Sequence, residues 1–142
     1  MGYGKIKPMP DVEYLRSVLD YNKETGIFTW KRRGDNVNPS PTDRAFNARY
    51  EGTRAGHIIT RNHRQISLAG GDYLESRLAI KMVLGREPLE LVVHKNGNSL
   101  DNRFDNLFEV SYSERGKRVG QLLRERIAEL EAKLKEKEEK NV

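Results

Sequence analysis

Apolar residues fall into short groups along this chain, and the step between them changes from one group to the next. Val12, Leu15, Val18 and Leu19 recur at three- and four-residue steps, the spacing of one helix face, and Asp11 stands where a capping residue would. That helix is expected to stop near Tyr21 and Asn22. Thr25-Gly26 then marks a turn. The stretch IFTWKRR alternates, with Ile27, Thr29 and Lys31 on one face and Phe28 and Trp30 on the other, which predicts a strand ending in a basic cluster. GDNVNPSPTD, residues 34–43, offers almost nothing to bury and reads as a loop.

Further on, HIITRNHRQISLAGGDYL reads as a hairpin, because Ile66 and Leu68 alternate with Gln65 and Ser67 and Gly70-Gly71 suits a tight turn. In ESRLAIKMVLG, Leu78 and Met82, and Ile80 and Leu84, occupy two adjacent stripes, and Gly85 sits where a helix terminates. The pattern predicts a core-plugging helix over Glu75 to Leu84. A buried strand from Leu91 to Val93 brings His94 to its end, Asn96-Gly97 supplies a turn, and Asp101-Asn102 starts a short helix in which Leu107 faces the core. Beyond Val110 the composition changes. Residues 113–140 are helix-forming apart from two glycines, with Leu123, Ile127, Leu130 and Leu134 at four-, three- and four-residue steps. This narrow seam suits a helix that pairs with another, as a coiled coil joining two copies or a protein partner through residues 119–138. The organisation expected is a flexible leader over 1–10, a domain over 11–112 and a charged C-terminal helix over 113–142.

Composition adds limits. With 142 residues, 36% hydrophobic and 33% charged, the chain buries a modest core and carries a large polar surface, in keeping with a small α+β fold. No apolar run approaches the roughly 20 residues that cross a bilayer, and the opening MGYGKIKPMP lacks the apolar segment of a secretory signal. The absence of cysteine excludes disulfides and thiolate metal ligands and sits easily with a reducing compartment. A cytoplasmic location is therefore the expectation.

A net charge of +5 and a pI near 9.5 favour a polyanionic partner. Lys31, Arg32, Arg33, Arg49, Arg54, Arg61 and Arg64, with His63, outnumber the acids around them, and Trp30, Phe46 and Tyr50 are interleaved with them. That mixture of cations and rings suits nucleic acid, although surface arginines serve solubility as well.

The stretch VVHKNGNSLDNRFDNLFEV, residues 92–110, carries the candidate chemistry. His94, Asn102 and Asn106 would converge on one side of a strand-loop-helix unit. A neutral imidazole, with an ordinary pKa of about 6.5, can take a proton from water. The Asn102 amide could accept from the second ring nitrogen and fix the ring's orientation. A divalent cation with oxygen ligands would offset charge on a phosphate. Taken singly, a histidine at a strand end and asparagines in NGN or DNR also serve as rim, turn and cap residues.

It is their order that is distinctive. H-K-N-G-N-S-L-D-N-R-F-D-N-L, from His94 to Leu107, closely resembles the core of phage-type HNH endonucleases, which runs Asp-His, Ile or Lys, Asn-Gly, a few residues, Asp-Asn-Arg, two residues, Asn-Leu. YLRSVLDYNKETGIFTWKRR, FNARYEGTRAG and SRLAIKMVLGREP resemble the region that precedes that core, so the likeness spans residues 11 to 111. It implies a ββα-metal core at about 75–111 and hydrolysis of DNA phosphodiester bonds. It also implies His94 as the base that activates water, Asn102 as its positioning partner and Asn106, on a helix, as a ligand to magnesium, manganese or zinc. Lys95, Arg103 and Arg77 would join the residues that face DNA, and the site of action would be the host cytoplasm if the chain is phage-encoded.

Two positions depart from the pattern. Val93 stands where the family carries an acidic or histidine metal ligand, and Ser76 replaces the histidine that opens the preceding helix. A lone carbonyl from Asn106 holds a divalent cation poorly, because carboxylate charge dominates hard-cation sites. Two readings follow: a metal-dependent DNA endonuclease impaired at Val93, or a non-catalytic relative that keeps the DNA-binding scaffold and engages a partner through its C-terminal helix.

Overall fold

The computed structural model describes residues 8–34, 37–114 and 117–140, without the side chains of Arg61 and Val119. Most of the proposed leader, residues 1–7, lies outside the described residues. Its end is not loose: Met9 is buried in the core, and its carbonyl accepts a hydrogen bond from Lys81 Nζ at 3.2 Å.

The first helix, α1 (Val12–Val18), buries Leu15 and Val18. It ends earlier than its periodicity suggests, because Leu19–Asn22 leaves it to form strand β1 against β2 (Ile27–Trp30). The ladder pairs Leu19 with Trp30 and Tyr21 with Phe28. Leu19 fits the apolar face of either element, and the ladder decides between them. Asp11 occupies the cap position without a side-chain bond to the helix.

The polar stretch after β2 contains a helix that its hydrophobic pattern does not announce. In α2 (Pro41–Tyr50) the Ser40 side chain accepts from Asp43 N at 3.1 Å and proline occupies the first turn, two start signals inside what reads as a loop. Its buried residue is Asn47, whose Oδ1 accepts from Arg33 N at 2.7 Å and whose Nδ2 donates to Arg33 O at 2.9 Å. A helix anchored by an amide leaves no apolar stripe to detect.

Residues 57–74 form three antiparallel strands rather than a simple hairpin: β3 (His57–Ile59), β4 (His63–Leu68) and β5 (Gly71–Leu74), in the order β3-β4-β5. The β4–β5 turn lies at Ala69 and Gly70, with φ of 48° and 75°, one residue before Gly70-Gly71. This register pairs Leu68 with Gly71 and Ile66 with Tyr73, all three apolar side chains being buried. Helix α3 (Glu75–Leu84) follows directly and ends on Gly85 in the left-handed conformation, φ 73°, as its sequence predicts. Leu78, Ala79, Ile80 and Met82 sit in the core with Leu15, Leu19, Phe28, Ile66 and Leu107.

The last ribbon pairs β6 (Leu91–His94) with β7 (Leu107–Val110), matching Val93 to Phe108 and His94 to Leu107. β6 is half-buried or exposed along its length, not a buried strand. Its alternation divides the two valines: Val92 packs on the main core, and Val93 packs on a second cluster of Phe108, Val110 and Leu122. The helix expected from Asp101 does not form. A single 3-10 turn, Phe104–Asn106, leads straight into β7, because the local side chains bond to the loop backbone instead of continuing a helix. Helix α4 (Val119–Lys140) docks through Leu122 on β7, so its first turns pack with the ribbon rather than standing apart from it. The whole is an α+β arrangement, and no described helix is long and apolar enough to cross a membrane.

Candidate functional site

His94 ends β6, half-buried, and its Nε2 lies 2.8 Å from Oδ1 of Asn102. An amide oxygen accepts, so the ring donates from Nε2, and in the neutral imidazole the lone pair is on Nδ1. Asn102 is itself almost fully buried and is fixed from three sides. Tyr21 Oη donates to its carbonyl at 2.6 Å. Burial, with Asp101 and Asp105 nearby, pushes the Tyr21 hydroxyl well above its ordinary range, so this donor keeps its proton. Phe104 N donates to Lys23 O at 3.0 Å, tying the next residues to the β1–β2 turn.

The third constraint is Gly26, in that turn, with φ of +75°; a Cβ there would lie 2.5 Å from both Asn102 C and Arg103 N. Sequence reasoning finds the Gly26 turn but not the partner it serves, and it misses Tyr21 altogether. The separation of 81 residues between Tyr21 and Asn102 leaves no local signal.

Asn106 is held elsewhere. It closes the 3-10 turn instead of lying on an α-helix, and its Oδ1 accepts from Asn96 N at 3.0 Å. Its Nδ2 donates to Asn96 Oδ1 at 3.0 Å and to Asp101 O at 2.8 Å. Asn96 also donates to Asp101 Oδ2 at 2.8 Å. The loop between β6 and β7 is thus cross-tied by its own amides, and His94 and Asn102 are brought together while the Asn106 amide closes on the loop.

HNH endonucleases generally use a divalent metal, so the donors here are decisive. Val93 has no lone pair and its side chain belongs to an apolar cluster. The Asn106 oxygen is engaged, and Asp101 is gripped by Arg103 through Nε–Oδ1 at 2.9 Å and Nη2–Oδ2 at 2.8 Å, a fork that, with Asn96, holds the carboxyl down at about 2. Asp105 is exposed. Among the described residues no three or more His, Asp or Glu side chains are grouped to share an ion. This donor set does not fit a resident divalent cation.

The basic residues separate into two kinds. Arg64 is a structural residue: Nε bonds the fully buried Glu75 at 2.6 Å and Nη2 bonds Gly56 O at 3.1 Å, so it is not turned to a polyanion. Burial pushes the Glu75 carboxyl up, against the pull of Arg64. Arg77 likewise binds the carbonyls of Leu89 and Glu90 at 3.0 and 3.2 Å. Arg103 faces Asp101. Lys31, Arg32, Arg49, Arg54 and Lys95 are exposed, and the Arg61 side chain lies outside the described residues. Arg33 stacks 3.7 Å from the Phe46 ring, which meets Trp30 edge-on at 5.5 Å and Tyr50 at 5.0 Å. Beside these rings lies a cavity of about 460 Å³ bordered by Arg54 and His57.

Residues 73–117 match the family model described as HNH endonuclease. No curated protein and no solved structure matches the chain.

Proposed function

We propose that the chain, whose residues 73–117 match the family model described as HNH endonuclease, hydrolyses phosphodiester bonds of DNA with His94 as general base. The observation that carries this reading is the 2.8 Å bond from His94 Nε2 to a buried, backbone-anchored Asn102. An imidazole oriented in this way presents Nδ1 to a water molecule. The proton passes to Nδ1, the oxygen bonds to phosphorus, and the bond from phosphorus to the leaving sugar oxygen breaks. Lys31, Arg32, Arg49, Arg54 and Lys95 supply the phosphate contacts. The protein acts in the cytoplasm, that of a host cell if it is phage-encoded.

A second reading is favoured by Val93: a catalytically silent HNH-fold protein that binds DNA and engages a partner through its C-terminal helix. In that reading the apolar cluster occupies the place where the family carries a ligand.

One experiment separates them. Supercoiled plasmid is incubated with the protein and magnesium, manganese or zinc in turn, alongside His94→Ala. Nicking that disappears in the variant supports the nuclease. DNA binding without cleavage under any metal overturns it in favour of the silent binder.

A further inference from the structure

From Ile127 to Lys140 every residue of α4 is exposed. Three of them are large and apolar, Ile127 at 53%, Leu130 at 64% and Leu134 at 59% exposure, and they continue the line begun by Leu123, which is partly buried on the ribbon cluster. A helix with this much uncovered apolar surface gains little from its own domain, and isolated helices of such length are marginal in water. The four-, three- and four-residue steps place Ile127 and Leu134 at heptad position a and Leu123 and Leu130 at d; leucine at both d positions with isoleucine at the first a position suits two parallel strands.

The flanking charges choose the partner. Position g carries Arg126, Lys133 and Lys140, and position e carries Arg124, Glu131 and Glu138. In a parallel, in-register pair each g residue faces the e residue of the next heptad on the other chain, which matches Arg126 with Glu131 and Lys133 with Glu138. In an antiparallel pair g faces g, and Lys133 and Arg126 would meet only cations. Arg126 is shared with its own domain, where it bonds Glu109 O at 3.2 Å, so the Lys133 to Glu138 match is the cleaner discriminator. We infer that α4 joins two copies of this chain as a parallel two-stranded coiled coil through Leu123, Ile127, Leu130 and Leu134. Because α4 starts on the ribbon that ends in His94, a parallel pair sets both ribbons at the same end of the coil.

Sedimentation of the full chain across the micromolar range tests this. The expected result is a reversible dimer approaching twice 16.4 kDa. Lys133→Glu and Glu138→Lys each weaken it about tenfold, since each sets like charges opposite one another twice per dimer. An equimolar mixture of the two variants recovers the wild-type association, because every facing pair is then opposite in sign. Leu130→Asp gives a monomer. A monomeric mass for the unmodified chain throughout the range overturns the inference, as does dimerisation that ignores both charge variants or a mixture that fails to recover. None of these outcomes depends on whether the protein cleaves DNA.

Discussion

Asn102 Oδ1 lies 2.8 Å from His94 Nε2, and the same residue's carbonyl takes the Tyr21 hydroxyl, so one residue ties the imidazole to the N-terminal hairpin. The side chain and the backbone of Asn102 do separate work, and substitution can divide them. Asn102→Ala removes the ring's partner and keeps the carbonyl. Nicking is expected to fall by about 10- to 100-fold, as for other residues that orient a functional imidazole, with a thermal stability loss of about 1 kcal/mol. His94→Ala is expected to cost about 100- to 10,000-fold, with a stability loss of about 1–3 kcal/mol because the buried Asn102 oxygen is left without its donor. Single-turnover nicking and thermal melts measure both.

Gly26→Ala attacks the same geometry from behind. The left-handed φ and a Cβ placed 2.5 Å from the backbone of Asn102 and Arg103 force the loop to shift, at a cost of roughly 1–3 kcal/mol. Activity should drop even at temperatures where melting shows the variant fully folded. A Gly26→Ala protein with unchanged melting and unchanged nicking would show that the turn does not brace Asn102.

Val93→Asp is informative in two directions. The carboxylate enters a cluster with Phe108 and Leu122, and burying it there is expected to cost about 1–3 kcal/mol and to loosen α4 from the ribbon. If metal-dependent nicking nonetheless rises while DNA affinity holds, the missing ligand was the defect. Nicking that stays at the wild-type level rules out Val93 as the limiting position.

Acid should unfold this protein partly through Asp101. Its folded carboxyl is held at about 2 by the Arg103 fork and Asn96, below the ordinary value of about 3.9. A depressed carboxylate contributes stability above its unfolded pKa and loses it as pH falls towards the folded one. The loss therefore runs from about pH 4 down to about pH 2. Arg103→Gln should shrink this part of the acid transition, and added salt should do so more weakly, because Arg103 is exposed. Melting temperature against pH for the two proteins is the measurement.

How much of this was legible in the sequence depends on the range of the interaction concerned. Helix α3 is readable residue by residue because its apolar stripes and Gly85 are local signals. The bond between His94 and Asn102 is readable from the order of residues in one loop. Asn106 was not, since its spacing suits a helix while its amide is satisfied by Asn96 and Asp101 within the loop. Helix α2 carries no apolar stripe, because its anchor, Asn47, is polar. Arg64 looks like its neighbours in a basic run, and only the fold shows that it faces the buried Glu75.

The amide cross-ties between β6 and β7 have a further consequence for rate. If the proposed nuclease reading holds, a loop whose asparagines already close on one another would meet a phosphate with most of its ordering entropy already surrendered on folding. In that reading, encounter with DNA would depend on diffusion and long-range attraction, with little loop ordering left to follow contact.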